Sequence, residues 1–209
     1  MEKKGTSWML LVGALLLASA AAAEEEKRVE SVERFSTKLL AEAEKEVGRI
    51  VGLMHRSLDG NAKAQYELGT LILEEGPTYI RKNVSKEDGE GYYAAHREVD
   101  TAALKWMVRS ARQGHTPAVS RVSDLCLRIV SDHRVSATTQ RKYLVQAFAW
   151  DKVLFRMTGV ERVTYHSDIK LSIRELLEAR MTDDQVAEAE RLSHQIEREI
   201  KANGRPFRQ

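Results

Sequence analysis

One cysteine, three prolines and 6% aromatic residues are the scarce components of this 209-residue chain. A lone Cys126 excludes an intramolecular disulfide framework and any Cys-rich zinc site. With 3 Pro and 12 Gly, the chain lacks the turn residues that a sandwich of many short strands needs. No charge of one sign dominates: 33 Lys+Arg stand against 31 Asp+Glu, a formal net charge of +2. A dedicated nucleic-acid binder shows a strongly basic field, so nucleic acid is not an expected partner. Also missing are Gly-x-Ser-x-Gly, the Gly-x-x-x-x-Gly-Lys phosphate loop, Gly-x-Gly-x-x-Gly and His-Glu-x-x-His. What remains is 43% apolar and 31% charged, rich in Ala, Glu, Leu and Arg, a helical composition. The length suits one domain, or two small ones.

The one compact apolar run lies at the start. Lys3 and Lys4 precede Trp8 to Leu17, and small residues Ala18 to Ala23 lead into Glu24-Glu25-Glu26. This order predicts a secretory signal peptide over 1–23, with Ala21 and Ala23 at −3 and −1 of the cut. Trp8 to Ala23 falls short of the roughly 20 residues that span a bilayer. The expected mature chain begins at Glu24, is exported, and has no stable membrane insertion. Its charges are then 31 Lys+Arg against 30 Asp+Glu.

From Glu24 onward the spacing is helical. Val29, Val32, Phe35, Leu39, Ala43, Val47, Ile50, Met54 and Leu58 step by three and four, predicting an N-terminal amphipathic helix within 24–59. Further helices are expected over 61–75, 98–113, 117–131, 139–157 and 162–180. Gly76-Pro77 reads as a stop, leaving 77–95 as a polar insertion loop. Thr182-Asp183-Asp184-Gln185 spells a capping box for a tail helix over 182–203, with Thr182 and Gln185 exchanging bonds. No strand is expected. The predicted class is all-α.

Self-similarity organises the middle of the chain. Gly60, Ala64, Leu68 and Gly69 recur as Gly114, Ala118, Val122 and Ser123, and weakly as Gly159 and Val163. Ala103 and Trp106 match Ala147 and Trp150, with the two Trp 44 residues apart. Ser110-Ala111 and Gly114 follow Trp106 at fixed offsets, whereas Gly159 follows Trp150 one residue late. Small residues allow close helix approach, Trp fills space between hairpins, and Gly closes each helix so that the next folds back.

Gly60-Asn61-Ala62-Lys63-Ala64-Gln65-Tyr66-Glu67-Leu68-Gly69 resembles the first helix of a Sel-one-like repeat, a relative of the tetratricopeptide repeat. Asp100 to Trp106 and Ser110 to Gly114 are similar to its second helix and closing turn. Gln146-Ala147-Phe148-Ala149-Trp150 resembles a late repeat, and Met181 to Leu192 the tail helix of bacterial members. The resemblance covers about 60–200 and implies an α-solenoid of stacked antiparallel helical hairpins, with an N-terminal helix and a C-terminal capping helix. It implies a repeat domain over 60–204 and a non-catalytic interaction module or adaptor that binds its partner through the concave helical face and the 77–95 loop. Its partner would be another protein of the envelope of a Gram-negative bacterium, in the periplasm. Some secreted members carry a disulfide in every repeat, which Cys126 alone cannot form.

Candidate chemistry is thin. His96 near Glu87, Asp88, Glu90 and Asp100 is the nearest approach to a metal cluster, and a polar surface loop explains it better. No metal and no cofactor are expected. Ser167-Asp168-Ile169-Lys170 spells the Ser-x-x-Lys of penicillin-recognising enzymes without its companion motifs. It is the basis of an alternative reading as an envelope enzyme or cell-wall-binding protein. Cys126 sits on an apolar stripe with Leu125 and Ile129, where an inert buried thiol is expected. Asn83-Val84-Ser85 is a glycosylation sequon only in a eukaryotic secretory pathway. Tyr79, Tyr92 and Tyr93 in the 77–95 loop are the candidate partner contacts, because exposed Tyr is a favoured interface residue.

Overall fold

A computed structural model describes residues 44–166 and 169–204. The expected signal segment and the first part of the N-terminal helix lie outside the described residues. Those described are mostly helical. The elements in chain order are α1 (Glu44–Leu58), α2 (Ala62–Asn83), α3 (Gly89–Arg112), α4 (Thr116–Ser131), α5 (Ala137–Thr158), β1 (Val163–His166), β2 (Ile169–Ser172), α6 (Ile173–Glu178) and α7 (Asp183–Ala202). They fall into two compact units, Met1–Trp106 and Met107–Gln209.

In the first unit, α1 turns into α2 through Gly60, at φ +87°. Gly60 N–H donates to the Ser57 carbonyl (3.2 Å) and Asn61 N–H to the Arg56 carbonyl (2.9 Å), the paired bonds of a Schellman motif. Asn61 then caps α2 by accepting from the Ala64 N–H at 2.9 Å. The Gln65 side chain donates to the Ser57 carbonyl at 3.0 Å, fastening the turn. Ile50, Leu53, Leu68 and Ile72 are buried in this unit.

The expected stop at Gly76-Pro77 does not end α2, which runs on to Asn83. Gly76 serves packing instead: a Cβ there would lie 2.5 Å from Val99 Cγ1 of α3. Pro77 removes one backbone donor but leaves φ helical, and buried Ile80 anchors the following turn. The helix ends where the Val84 N–H bonds the Ile80 carbonyl (2.8 Å). Residues 77–95 are therefore no long loop. They comprise the end of α2, a short turn and the start of α3. Asp88 opens α3, its Oδ1 accepting from the Gly91 N–H at 3.1 Å.

In the second unit, α3 closes at Gly114 (φ +78°). Gly114 N–H donates to the Ala111 carbonyl (2.8 Å) and His115 N–H to the Ser110 carbonyl (3.3 Å). This is the same bond pair as at Gly60. Pro117 occupies the first turn of α4, where its missing N–H costs nothing. Helices α4 and α5 pack closely, and Ser123 Oγ crosses the seam to the Ala147 carbonyl at 3.1 Å. Ala118, Ala147, Val122 and Phe148 are buried in this unit. Gly159 ends α5 at φ +69° with one bond to the Phe155 carbonyl (2.7 Å), the simpler left-handed stop.

The helix expected over 162–180 is replaced. Val163–His166 and Ile169–Ser172 form an antiparallel two-stranded sheet in register Val163↔Ser172 through His166↔Ile169. Val, Thr, Tyr and Ile cluster here, residues that favour extended backbone. Only the second part becomes helix, as α6, capped by Ser172 Oγ accepting from the Glu175 N–H at 3.5 Å. The capping box of α7 is formed: Gln185 N–H donates to Thr182 Oγ1 (3.4 Å) and Thr182 N–H to Gln185 Oε1 (2.8 Å).

Candidate functional site

The residues singled out for repeat packing divide by exposure. Ala64, Leu68, Gly69, Ala103, Ala111, Gly114, Ala118 and Ala147 are buried, as are Trp106 and Trp150. Both Trp are thus buried side chains. Gly60 and Gly159 are exposed turn residues whose positive φ disfavours any other side chain.

The tyrosines lie on helices. Tyr79 is half-buried on α2, and its carbonyl accepts from Asn83 Nδ2 at 2.8 Å. Tyr92 and Tyr93 occupy the first turn of α3, where Asp88 fixes the backbone. Their rings meet edge to face at 5.7 Å between centroids, and His96 packs on Tyr92 at 4.7 Å. Tyr93 is 41% exposed and Tyr92 half-buried, so one ring is presented and its neighbours stiffen it. A rigid amphipathic ring loses little entropy on contact, which suits protein recognition.

Two of the acidic residues around His96 are engaged elsewhere. Asp88 caps α3, and Glu90 pairs with Arg97 at 3.1 Å. Among the described residues no group of three or more His, Cys, Asp or Glu could hold a metal ion. Cys126 is buried, and loss of water pushes its thiol up to about 12, against a lesser opposing pull from Lys142. It is protonated and unreactive at neutral pH. Ser167 of the Ser-x-x-Lys spelling lies outside the described residues. Lys170 falls on β2.

A polar node in the second unit was not anticipated. Arg162 bridges Asp124 of α4 and Asp151 of α5, the latter at 3.3 Å. Burial raises the Asp151 carboxyl above its ordinary range. Arg162 and Arg174 oppose that rise, and Asp124 and Glu161 add to it. Glu161 accepts from Ser172 Oγ (2.9 Å) and Arg174 (2.6 Å), and Arg174 lies 4.7 Å from the Phe155 ring centroid. This node fastens the base of the hairpin to the helices. A second seam joins α5 to α7, where Lys152 meets Glu190 and Arg156 meets Glu190 and Glu197. The sequence signal was Asp151, a carboxylate on the buried stripe beside Trp150.

No helix among the described residues is long and apolar enough to cross a membrane. Compared with family models, curated proteins and solved structures, the chain gives no match.

Proposed function

We propose that the chain is a non-catalytic interaction module of Sel-one-like type, exported to the bacterial envelope, where it binds another protein. The observation that carries this reading is the repeated turn. Gly60 and Gly114 lie at matching repeat positions and close their helices with the same pair of bonds. Small residues follow each at matching offsets, Ala64 after the first and Ala118 after the second. Repeats of this kind leave their side chains to packing and their outer surfaces to recognition. The stacking of hairpins into a solenoid, capped by α7, is part of the proposal.

The contact surface we assign is the start of α3, with Tyr93 as the presented ring and Tyr92 and His96 as its support. Tyr79 flanks it in sequence from α2. A photoreactive phenylalanine analogue at position 93, incorporated in producing cells, tests this. One discrete adduct is expected at position 93 and none at Lys63, whose side chain is 79% exposed on α2. Equal labelling at both positions, or none at position 93, contradicts the assignment.

A further inference from the structure

Helix α7 is opposite in charge to the body that holds it. It carries 6 Asp or Glu against 3 Lys or Arg, whereas residues 107–182 carry 13 Lys or Arg against 7 Asp or Glu. Four of its acids are turned onto that body. Glu188 meets Arg141 (3.5 Å), Glu190 meets Lys152 and Arg156, Glu197 meets Arg156, and Glu199 meets Arg112 (3.3 Å). Arg141, Lys152 and Arg156 follow one another along α5, and they take their acids in chain order along α7. The pairs therefore fix the direction and the register of α7. A cation follows each central acid, Arg191 after Glu190 and Arg198 after Glu197. Turning α7 by one residue would set these cations against Lys152 and Arg156, a like-charge clash.

The apolar part of this seam is small. Of the five buried residues of α7, only Ile196 and Ile200 are large and apolar, and Ala189 is small. The other two, Ser193 and Glu197, both bond Arg156. Apolar side chains of equal volume would hold such a seam as well or better, because burying ions costs desolvation energy. Charge pairs instead give choice of partner and release by salt.

We propose that the face of α5 bearing Arg141, Lys152 and Arg156 is a docking site for an acidic amphipathic helix of a partner protein, and that α7 fills it in the free chain as a displaceable, autoinhibitory stand-in. The partner helix carries two carboxylates seven residues apart, as Glu190 and Glu197 are, flanked by small residues in the places of Ala189 and Ser193. Helices that dock in grooves are read by spacing of this kind. Residues 179–182 alone join α6 to α7, so the tethered helix returns at high effective concentration and keeps the site shut against weak competitors. The site lies in the second unit and does not depend on the assignment of Tyr93 in the first.

The test uses the full chain and a fluorescein-labelled peptide of sequence 182–204. Glu190→Lys combined with Glu197→Lys should free the site. This double variant should bind the peptide on the order of tenfold more tightly than the unaltered chain does, and should not bind a peptide carrying the same two lysines. In the unaltered chain, raising NaCl from about 0.1 to about 1 M shortens the screening length from about 10 to about 3 Å. Amide exchange through Ala189 to Ile200 should then speed up about tenfold, while Leu144 to Leu154 of α5 stay protected. Equal peptide binding by the two chains, binding of the lysine peptide, or salt-independent exchange of α7 overturns the proposal. So does loss of protection over Leu144 to Leu154 in the double variant, which would make α7 part of the core. A dimer of the unaltered chain that exchanges α7 between copies, seen in sedimentation, overturns it too, because the occupant would be a second copy.

Discussion

At the residue scale, two positions mean more than their local spelling. Gly76 reads as a helix stop but is a contact, because a Cβ there meets Val99 at 2.5 Å. Gly76→Ala should lower stability by about 1–3 kcal/mol, the usual cost of overpacking. Adding Val99→Ala should recover part of that loss, and a double-mutant cycle by chemical denaturation measures the coupling. Asp151 is the second case. Its carboxyl is held above the ordinary 3.8 chiefly by burial, so the folded state binds its proton more tightly than the unfolded chain does. Its contribution is most favourable below that value and declines as pH rises through the raised folded value. Asp151→Asn, which cannot ionise, should gain stability relative to the unaltered chain as pH is raised above about 4. Denaturation midpoints of both proteins from pH 3.5 to 7 check the sign.

At the element scale, what could be read depended on whether the signal was local. The capping box at Thr182 and the glycine turns at Gly60 and Gly114 are complete within a few residues, and the observed bonds sit where the spelling puts them. The α2–α3 region was not legible, because its outcome depends on Val99, distant in sequence from Gly76. Local breakers lost there to tertiary packing. The hairpin was missed for a related reason. Its strands are four residues each, too short to stand out against the helical spacing around them. The arginine node around Asp151 joins residues from α4, α5 and the hairpin base, which no spacing rule connects. Pro77 supplies a prediction for this scale. It lies within α2 and leaves the Leu73 carbonyl without its helical donor. Pro77→Ala should raise stability by about 1–3 kcal/mol, with slower amide exchange through Thr78 to Asn83. Unchanged exchange there would mean that the helix carries no penalty at this proline.

At the scale of the whole molecule, stability has one main source. The single cysteine is free and buried, so no disulfide contributes. Helix packing and the ion pairs between α5 and α7 hold the second unit, and the α1–α2 turn and the Gly76–Val99 contact hold the first. Composition and repeat spacing made the helical class legible, and buried Trp106 and Trp150 fit that packing role. The proposed contact surface rests in the sequence on residue type alone. Tyr92 and Tyr93 were expected on a loop, whereas a helix turn capped by Asp88 holds them in place. That rigidity makes the proposed recognition of a protein partner through Tyr93 directly measurable. The binding isotherm of the protein captured at position 93 should be recorded for the unaltered chain and for Tyr93→Ala. Tyr93→Ala should bind about tenfold more weakly with an unchanged denaturation midpoint, as expected for a presented aromatic anchor. Equal affinity of the two chains would contradict it.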